Sequence, residues 1–421
     1  MTDQNPCCDE YRGTSRRGFL RGSLVAGGAA ALTVAHGAAF TQTSYAAAGV
    51  ADQVLVVLSM RGACDGLSLV VPHADPVYYR ARPKIAVPSD QLLVKDGMFG
   101  LHPALAPLVP LWNAGKMAAV HATGLPVPNR SHFSAMEELE DADPGSQARV
   151  GWLNRLVGRD GVGSPLEAIQ MGGGVPSAAV SGPQPVLVTQ GTDTVRLAGP
   201  SGAAEEAARR RSLQTAWGSS AGDLGTGLRS ALAVVDDFAP VHAVSDVPAN
   251  GAAYPISSDL ADALKASART IRANVGAEII TVDHGSWDHH TQIGNTAGGN
   301  LKRMADELAG AVAAFFADLG PLADKVTLVT ISEFGRRVVE NANQGLDHGH
   351  GNVMLVMGAG VKGGAYYGKW PGLTQTSDAD LLVTTDYRNV LSEVITSRFD
   401  ASPAEIFPGL APERVGVMAA V

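Results

Sequence analysis

Five short apolar runs punctuate the chain, at residues 53–59, 117–120, 278–282, 326–331 and 353–357. Runs of this length with no polar alternation suit strands buried on both faces. Between the third and fourth, Leu301, Met304, Leu308, Val312, Phe315 and Leu319 recur at three- and four-residue spacing, which puts them on one face of a helix. A helix is also predicted over 102–114, and another after Asp386 with Tyr387, Leu391, Val394 and Ile395 on one side. Strands alternating with helices predict an α/β fold, a largely parallel, doubly wound sheet flanked by helices.

Two stretches break this rhythm. Residues 160–255 are rich in Gly, Ala, Ser and Pro, with a polar helix predicted at 203–214 and a loop near 240–255; they read as an insertion or cap at the sheet's edge. At the N-terminus, Ser15-Arg16-Arg17-Gly18-Phe19-Leu20 pairs two arginines with an apolar dipeptide. A charge-free run of small and apolar residues from 23 to 40 precedes Tyr45-Ala46-Ala47-Ala48. That order is the layout of a cleavable signal, and the paired arginines favour the twin-arginine route, which exports folded chains. The run is too weakly apolar for the roughly 20 strongly apolar residues of a membrane span. The expected organisation is a signal over 1–48 and one α/β domain over 49–421, with the translocase as a partner during export and a periplasmic or secreted destination.

Composition narrows the function. Without residues 1–48 the 32 basic residues fall to 28 and the 41 acidic to 38, a net charge of −10. Such a balance argues against nucleic acid, whose phosphates need clustered cations. Cys7 and Cys8 leave with the signal and only Cys64 remains, so no intramolecular disulfide is expected. No later segment is long and apolar enough to cross a bilayer.

Chemistry-bearing residues gather just beyond the apolar runs, where open α/β sheets bind ligands. Asp65 follows the first; His121 and then Arg130-Ser131-His132 follow the second. The third leads into Asp283-His284-Gly285-Ser286-Trp287-Asp288-His289-His290. The fourth leads into Ser332-Glu333-Phe334-Gly335-Arg336-Arg337 and on to Asp347-His348-Gly349-His350. Five of the eleven histidines fall within 284–290 and 348–350, beside aspartates, and mixed imidazole and carboxylate donors suit zinc, manganese or iron. Adjacent His289 and His290 point apart in any regular backbone, so not all five can be ligands.

The motifs CDGLSLVVP, NRSHFSAM, DHGSWDHH, SEFGRR, GLDHGHGN and GGAYYGKWP, in this order, resemble an uncharacterised bacterial family, domain of unknown function 1501. That family is similar in turn to the alkaline phosphatase and sulfatase superfamily. The resemblance implies a metal-ligating aspartate after the first strand, here Asp65, and a nucleophile at a helix start, here Ser131. It implies an aspartate and a histidine from one loop, Asp283 or Asp288 with His289 or His290, and a later histidine, His348 or His350. The second metal's acid would be Glu333. Phe334 stands where relatives have a ligating histidine, leaving that ion short of donors or dependent on another residue such as His132.

The implied activity is hydrolysis of phosphate or sulfate esters, small-molecule or glycan, with one or two divalent ions, zinc favoured over manganese, calcium or iron. A metal would activate the Ser131 hydroxyl or a bound water. Helix amides near 132–134 and a clamp from Arg130 or Arg61 would hold oxyanion oxygens. Ser134-Ala135-Met136-Glu137 fits a capping box, which would leave Ser131 free. For Arg336 and Arg337 beside Glu333, substrate contact and a buried Arg–Glu pair that holds the loop are equal expectations. Cys64 lacks the proline and arginine of a sulfatase activation motif and reads as a small buried residue. The rival reading is a non-catalytic secreted protein of the same fold that binds an envelope component, with at most a structural metal.

Overall fold

The five apolar runs form the heart of one sheet. In chain order its main strands are β1 (Val54–Met60), β2 (Met117–Gly124), β3 (Ala168–Met171), β4 (Leu187–Thr189), β5 (Ile279–His284), β6 (Val326–Ile331), β7 (Asn352–Gly358) and β8 (Ala365–Tyr367). They lie side by side as β4-β3-β5-β1-β6-β7-β2-β8. The computed structural model describes residues 51–159, 163–199, 202–256 and 258–419, and ahead of them only Thr33–Val34, a two-residue strand antiparallel to β4. Apart from those two residues, the export segment expected over 1–48 lies outside the described residues. Among the described residues no helix is long and apolar enough to cross a membrane.

The sheet is mixed, though mostly parallel. β1 runs parallel to β5 and β6, and β3 parallel to β4 and β5, whereas β7 is antiparallel to both β6 and β2. The reason is local: no crossover helix separates β6 from β7, so the chain turns back at the edge where β6 ends. This departure from a doubly wound parallel pattern brings the start of β7 and the carboxyl ends of its neighbours to one edge.

Two helical layers cover the sheet. Helices α1 (His132–Asp141), α2 (Ala203–Trp217), α3 (Asp223–Asp237), α4 (Asp259–Ala273), α5 (Asn300–Leu319) and α6 (Tyr387–Phe399) follow in chain order. On one face Leu264 of α4 and Leu308 and Phe315 of α5 share a core with Val56, Leu58, Ile280 and Leu328. On the other, Met136 and Leu139 of α1 and Leu391, Val394 and Ile395 of α6 pack with Leu55, Val57, Val329 and Val356. The segment expected as a helix over 102–114 is instead a 3-10 turn, Pro103–Leu108, followed by a short α-helix, Val109–Asn113. Pro107 and Pro110 lack the amide hydrogens that a continuous helix would use. Within 160–255, β3 and β4 extend the sheet, while α2 carries no buried residue.

Cys64 lies just past β1, fully buried, and burial pushes its thiol up to about 12. It should therefore resist alkylation at pH 8 in the folded protein and react only on unfolding; peptide mapping after iodoacetamide treatment checks this.

Candidate metal centre

Three chain segments meet at the edge where β1, β5 and β6 end. The connection from β6 to β7 folds onto itself: the Gly335 amide donates to the His350 carbonyl and the Gly349 amide to the Gly335 carbonyl, each at 2.8 Å, with Arg336 and His348 bridged antiparallel. A Cβ at Gly335 would collide with the Gly351 carbonyl, so the glycines of SEFG and HGHG let two backbones approach closely enough to fix His348. Gly62, with φ +100°, plays the same part for the loop after β5. A Cβ there would lie 2.8 Å from the Asp288 amide nitrogen. α1 starts at His132 with Ser131 at its N-cap, and Asn129 Oδ1 accepts the Ser131 amide at 3.1 Å. The expected capping box at Ser134 does not form, because Ser134 lies inside the helix and its hydroxyl accepts from Asn129 Nδ2 at 3.0 Å.

These segments bring His132, Asp288 and His348 together, with one donor atom from each within 4.8 Å of the others. His132 Nε2 lies 3.0 Å from His348 Nε2, and each lies 3.6 Å from Asp288 Oδ1. His290 Nε2 joins the group at 3.0 Å from both His348 Nε2 and Asp288 Oδ1. Zinc bonds of about 2.0–2.1 Å at tetrahedral angles separate donors by about 3.3 Å, which is the scale seen here.

The outer nitrogens explain why the inner ones converge. His132 Nδ1 lies 2.8 Å from Glu333 Oε1, His290 Nδ1 3.2 Å from Asp347 Oδ1, and His348 Nδ1 2.8 Å from the Arg130 carbonyl. All three partners are acceptors, so each Nδ1 carries the hydrogen and each neutral ring turns an Nε2 lone pair inward. The lone pairs of His132 and His348 and the Asp288 carboxylate, with that of His290 beside the last two, repel one another unless protons or a cation lie between them. The donor set fits a divalent metal on that ground.

Without a metal, protons take the part of the cation. Burial works to lower the His132 pKa, yet its hydrogen bonds to Asp288 and Glu333 raise it to about 9. The Asp288 hydrogen bond likewise raises that of His290. Burial would raise the Asp288 carboxyl, but His132, His290, His348 and the Arg336 guanidinium hold it far below the usual carboxylate range. Glu333, only 3 % exposed, is lowered against its burial by His132 and the Gly62 amide. Arg336 donates to Asp288 Oδ1 at 2.7 Å and to the Ala63 carbonyl at 2.6 Å, which binds the loops to one another. Phe334 offers no donor; its ring packs 4.9 Å from those of His132 and His348 and holds them in place. Replacing Glu333 by alanine should weaken metal binding by about 10- to 100-fold by freeing the His132 ring, which a chelator-competition titration reads.

The other candidates lie elsewhere. Asp65 is 1 % exposed and bidentate on fully buried Arg82, at 2.5 and 3.0 Å, so both of its oxygens are engaged away from the centre. Asp283 pairs with Arg61 at 2.8 Å on the opposite face of β5 from His284. His289 turns into the core beside Trp287, and burial holds it down to about 4. His350 Nε2 meets the Leu125 carbonyl at 2.9 Å. The Arg130 side chain pairs with Asp380, so only its carbonyl touches the centre. Arg337 faces the Ser377 carbonyl, while the Arg–carboxylate pair expected with Glu333 forms between Arg336 and Asp288. His132 is the donor least visible in the sequence. It stands alone in its segment, and the sequence marks it only as a substitute for the donor that Phe334 lacks and by its place one residue after a helix cap.

A cleft of about 700 Å³ opens beside the centre, with His132, Asp288 and Glu333 in its lining. Arg61 lies in the lining too, its Nη2 on Glu140 at 2.6 Å and its Nε on Asp283. Burial and the neighbouring Asp283 raise the Glu140 carboxyl pKa, although Arg61 opposes them.

Fold and site together define an α/β protein with a histidine–aspartate cluster of metal-binding geometry at one edge of its sheet. The chain belongs to the family described as Protein of unknown function (DUF1501), whose profile matches residues 113–394. That stretch holds His132, Asp288, His290, Glu333 and His348, whereas β1 and Asp65 precede it. A comparison with curated proteins finds no match.

Proposed function

We propose that the protein is an exported, metal-dependent hydrolase of phosphate or sulfate esters with an alkaline phosphatase-like fold. The observation that carries this is the convergence of His132, Asp288 and His348, with His290 beside the last two and all three imidazole Nδ1 groups hydrogen-bonded to acceptors, next to a cleft of about 700 Å³. A bound divalent ion, zinc by preference for imidazole donors, would polarise the ester oxygen and stabilise charge on the transferring group. One ion is the expected number, since Asp65 and Phe334 leave a second without donors.

The chain's own residues supply the rest. Ser131 makes no capping bond with its side chain and stands between Arg130, whose carbonyl fixes His348, and His132. Ser131 is the nucleophile of this reading: its Oγ would form the new bond to phosphorus or sulfur as the ester oxygen departs, and water would then release the bound group. Amides of the first turn of α1 add partial positive charge there. Arg61 Nη1 has no hydrogen-bond partner among the described residues, which suits it better than Arg130 to clamp an oxyanion oxygen.

The test is turnover of an aryl phosphate and an aryl sulfate by protein exported natively, with metal content measured alongside. Metal-dependent turnover that Ser131→Ala removes while metal is retained supports the reading. The rival, a non-catalytic envelope-binding protein with a structural metal, draws on one observation: Ser131 is not among the residues lining the cleft. Stoichiometric metal with no turnover across a broad ester panel decides for it. Export is tested separately by the Arg16→Lys, Arg17→Lys double variant, which should keep the protein in the cytoplasm.

A further inference from the structure

The cleft lining combines apolar and charged groups. Phe133 and Met136 of α1 and Val175 and Pro176 of the loop after β3 give it apolar surface, and Phe133 and Val175 are 63 % and 73 % exposed. The lining also carries Arg61, Glu137, Glu140 and Asp283, and each of these charges has an opposite partner, Glu137 on Arg149 and the rest among themselves. Arg61 takes the Glu140 and Asp283 carboxylates, and the second Glu140 oxygen accepts the Ala178 amide at 2.8 Å. Glu140 thus ties the loop that bears Val175 to the arginine beside the centre. Arg61 Nη1 and the Ser177 hydroxyl remain available; Ser177 is 8 % exposed, lines the cleft, and its hydroxyl finds no partner.

Such a lining matches a ligand with an anionic head and an apolar body. The head would meet the centre and Arg61, the only lysine or arginine among the lining residues. The body would lie against Phe133 and Val175, covering apolar surface now open to water, with Ser177 able to hydrogen-bond one polar atom on it. A hydroxyl-rich sugar would fit less well, because the carboxylates that ordinarily bind sugar hydroxyls are already paired, Glu140 and Asp283 with Arg61 and Glu137 with Arg149.

We propose that this cleft is the subsite for the organic part of the substrate and that it takes an apolar group, aryl or acyl, in preference to a carbohydrate. The proposal names the substrate class for the hydrolase reading and rests on it for the word substrate, though the subsite itself can be tested by binding alone.

The experiment is calorimetric titration of zinc-loaded protein with phenylphosphonate, methylphosphonate and glucose 6-phosphate. Phenylphosphonate should bind about 10-fold more tightly than methylphosphonate. In a Phe133→Ala, Val175→Ser variant that advantage should vanish, with zinc content and methylphosphonate affinity unchanged. Equal affinities in the wild type, tighter binding of glucose 6-phosphate, an advantage that survives the double substitution, or no phosphonate binding at all would each overturn the proposal. If the phenyl preference holds and depends on these two side chains while no ester is turned over, the hydrolase reading falls and the apolar subsite stands.

Discussion

Replacing His348 by alanine is expected to empty the centre. Its Nε2 lies 3.0 Å from those of both His132 and His290, so it joins the two sides of the cluster. Loss of an outer-shell partner alone costs about 10- to 100-fold in metal affinity, and removing a ligand should cost at least about 100-fold. Metal analysis after dialysis should therefore find the variant bare, and any ester hydrolysis should drop to background. His350→Ala is the matched control. That ring binds the Leu125 carbonyl, two positions along the same loop, and its removal should leave metal content unchanged. Equal metal loss in both variants would mean that the loop, not the ligand, had been damaged.

The second large effect concerns a residue that resemblance placed at the metal. Asp65→Asn should destabilise the fold by about 3–5 kcal/mol, because Arg82 would keep a buried charge without its counter-ion. Asp65 and Ser68 hold the guanidinium on one side and the Val338 and Arg337 carbonyls on the other, so the pair joins the turn after β1 to the connection between β6 and β7. Urea unfolding of the metal-free protein measures the loss. Below its unfolding transition the variant should still take up metal with near-normal affinity. A ligand role for Asp65 would give the reverse, little change in apoprotein stability and a large loss of metal.

How far these features were legible depended on how local their causes are. The five strands of continuous apolar sequence and the 3.6-residue stripe of α5 could be read directly, since burial on both faces or on one stripe writes itself into composition. β3, β4 and β8 could not, because three or four residues among glycines and prolines show no period. α4 was missed for another reason: much of its buried face is alanine, serine and threonine, which pattern alone does not separate from a solvated face. The direction of β7 was equally hidden, for it depends on the path of the connection before it. At the site, DHGSWDHH and GLDHGHGN showed which loops carry chemistry but not which rings turn inward. His289 and His290 diverge as adjacent side chains must, yet only packing reveals that His289 is the one sent to the core. Asp65 follows a strand as a ligand would, and its capture by Arg82, seventeen positions on, is a tertiary event with no local mark.

The central claim is that one metal ion is held by His132, Asp288, His348 and His290. Anomalous diffraction at the zinc edge, from crystals of protein grown with zinc, tests it most directly. A single strong peak should appear within bonding distance of His132 Nε2, His348 Nε2 and an Asp288 oxygen. A peak beside Asp65, Asp283 or His350, or none at the cluster at full zinc loading, would contradict the account.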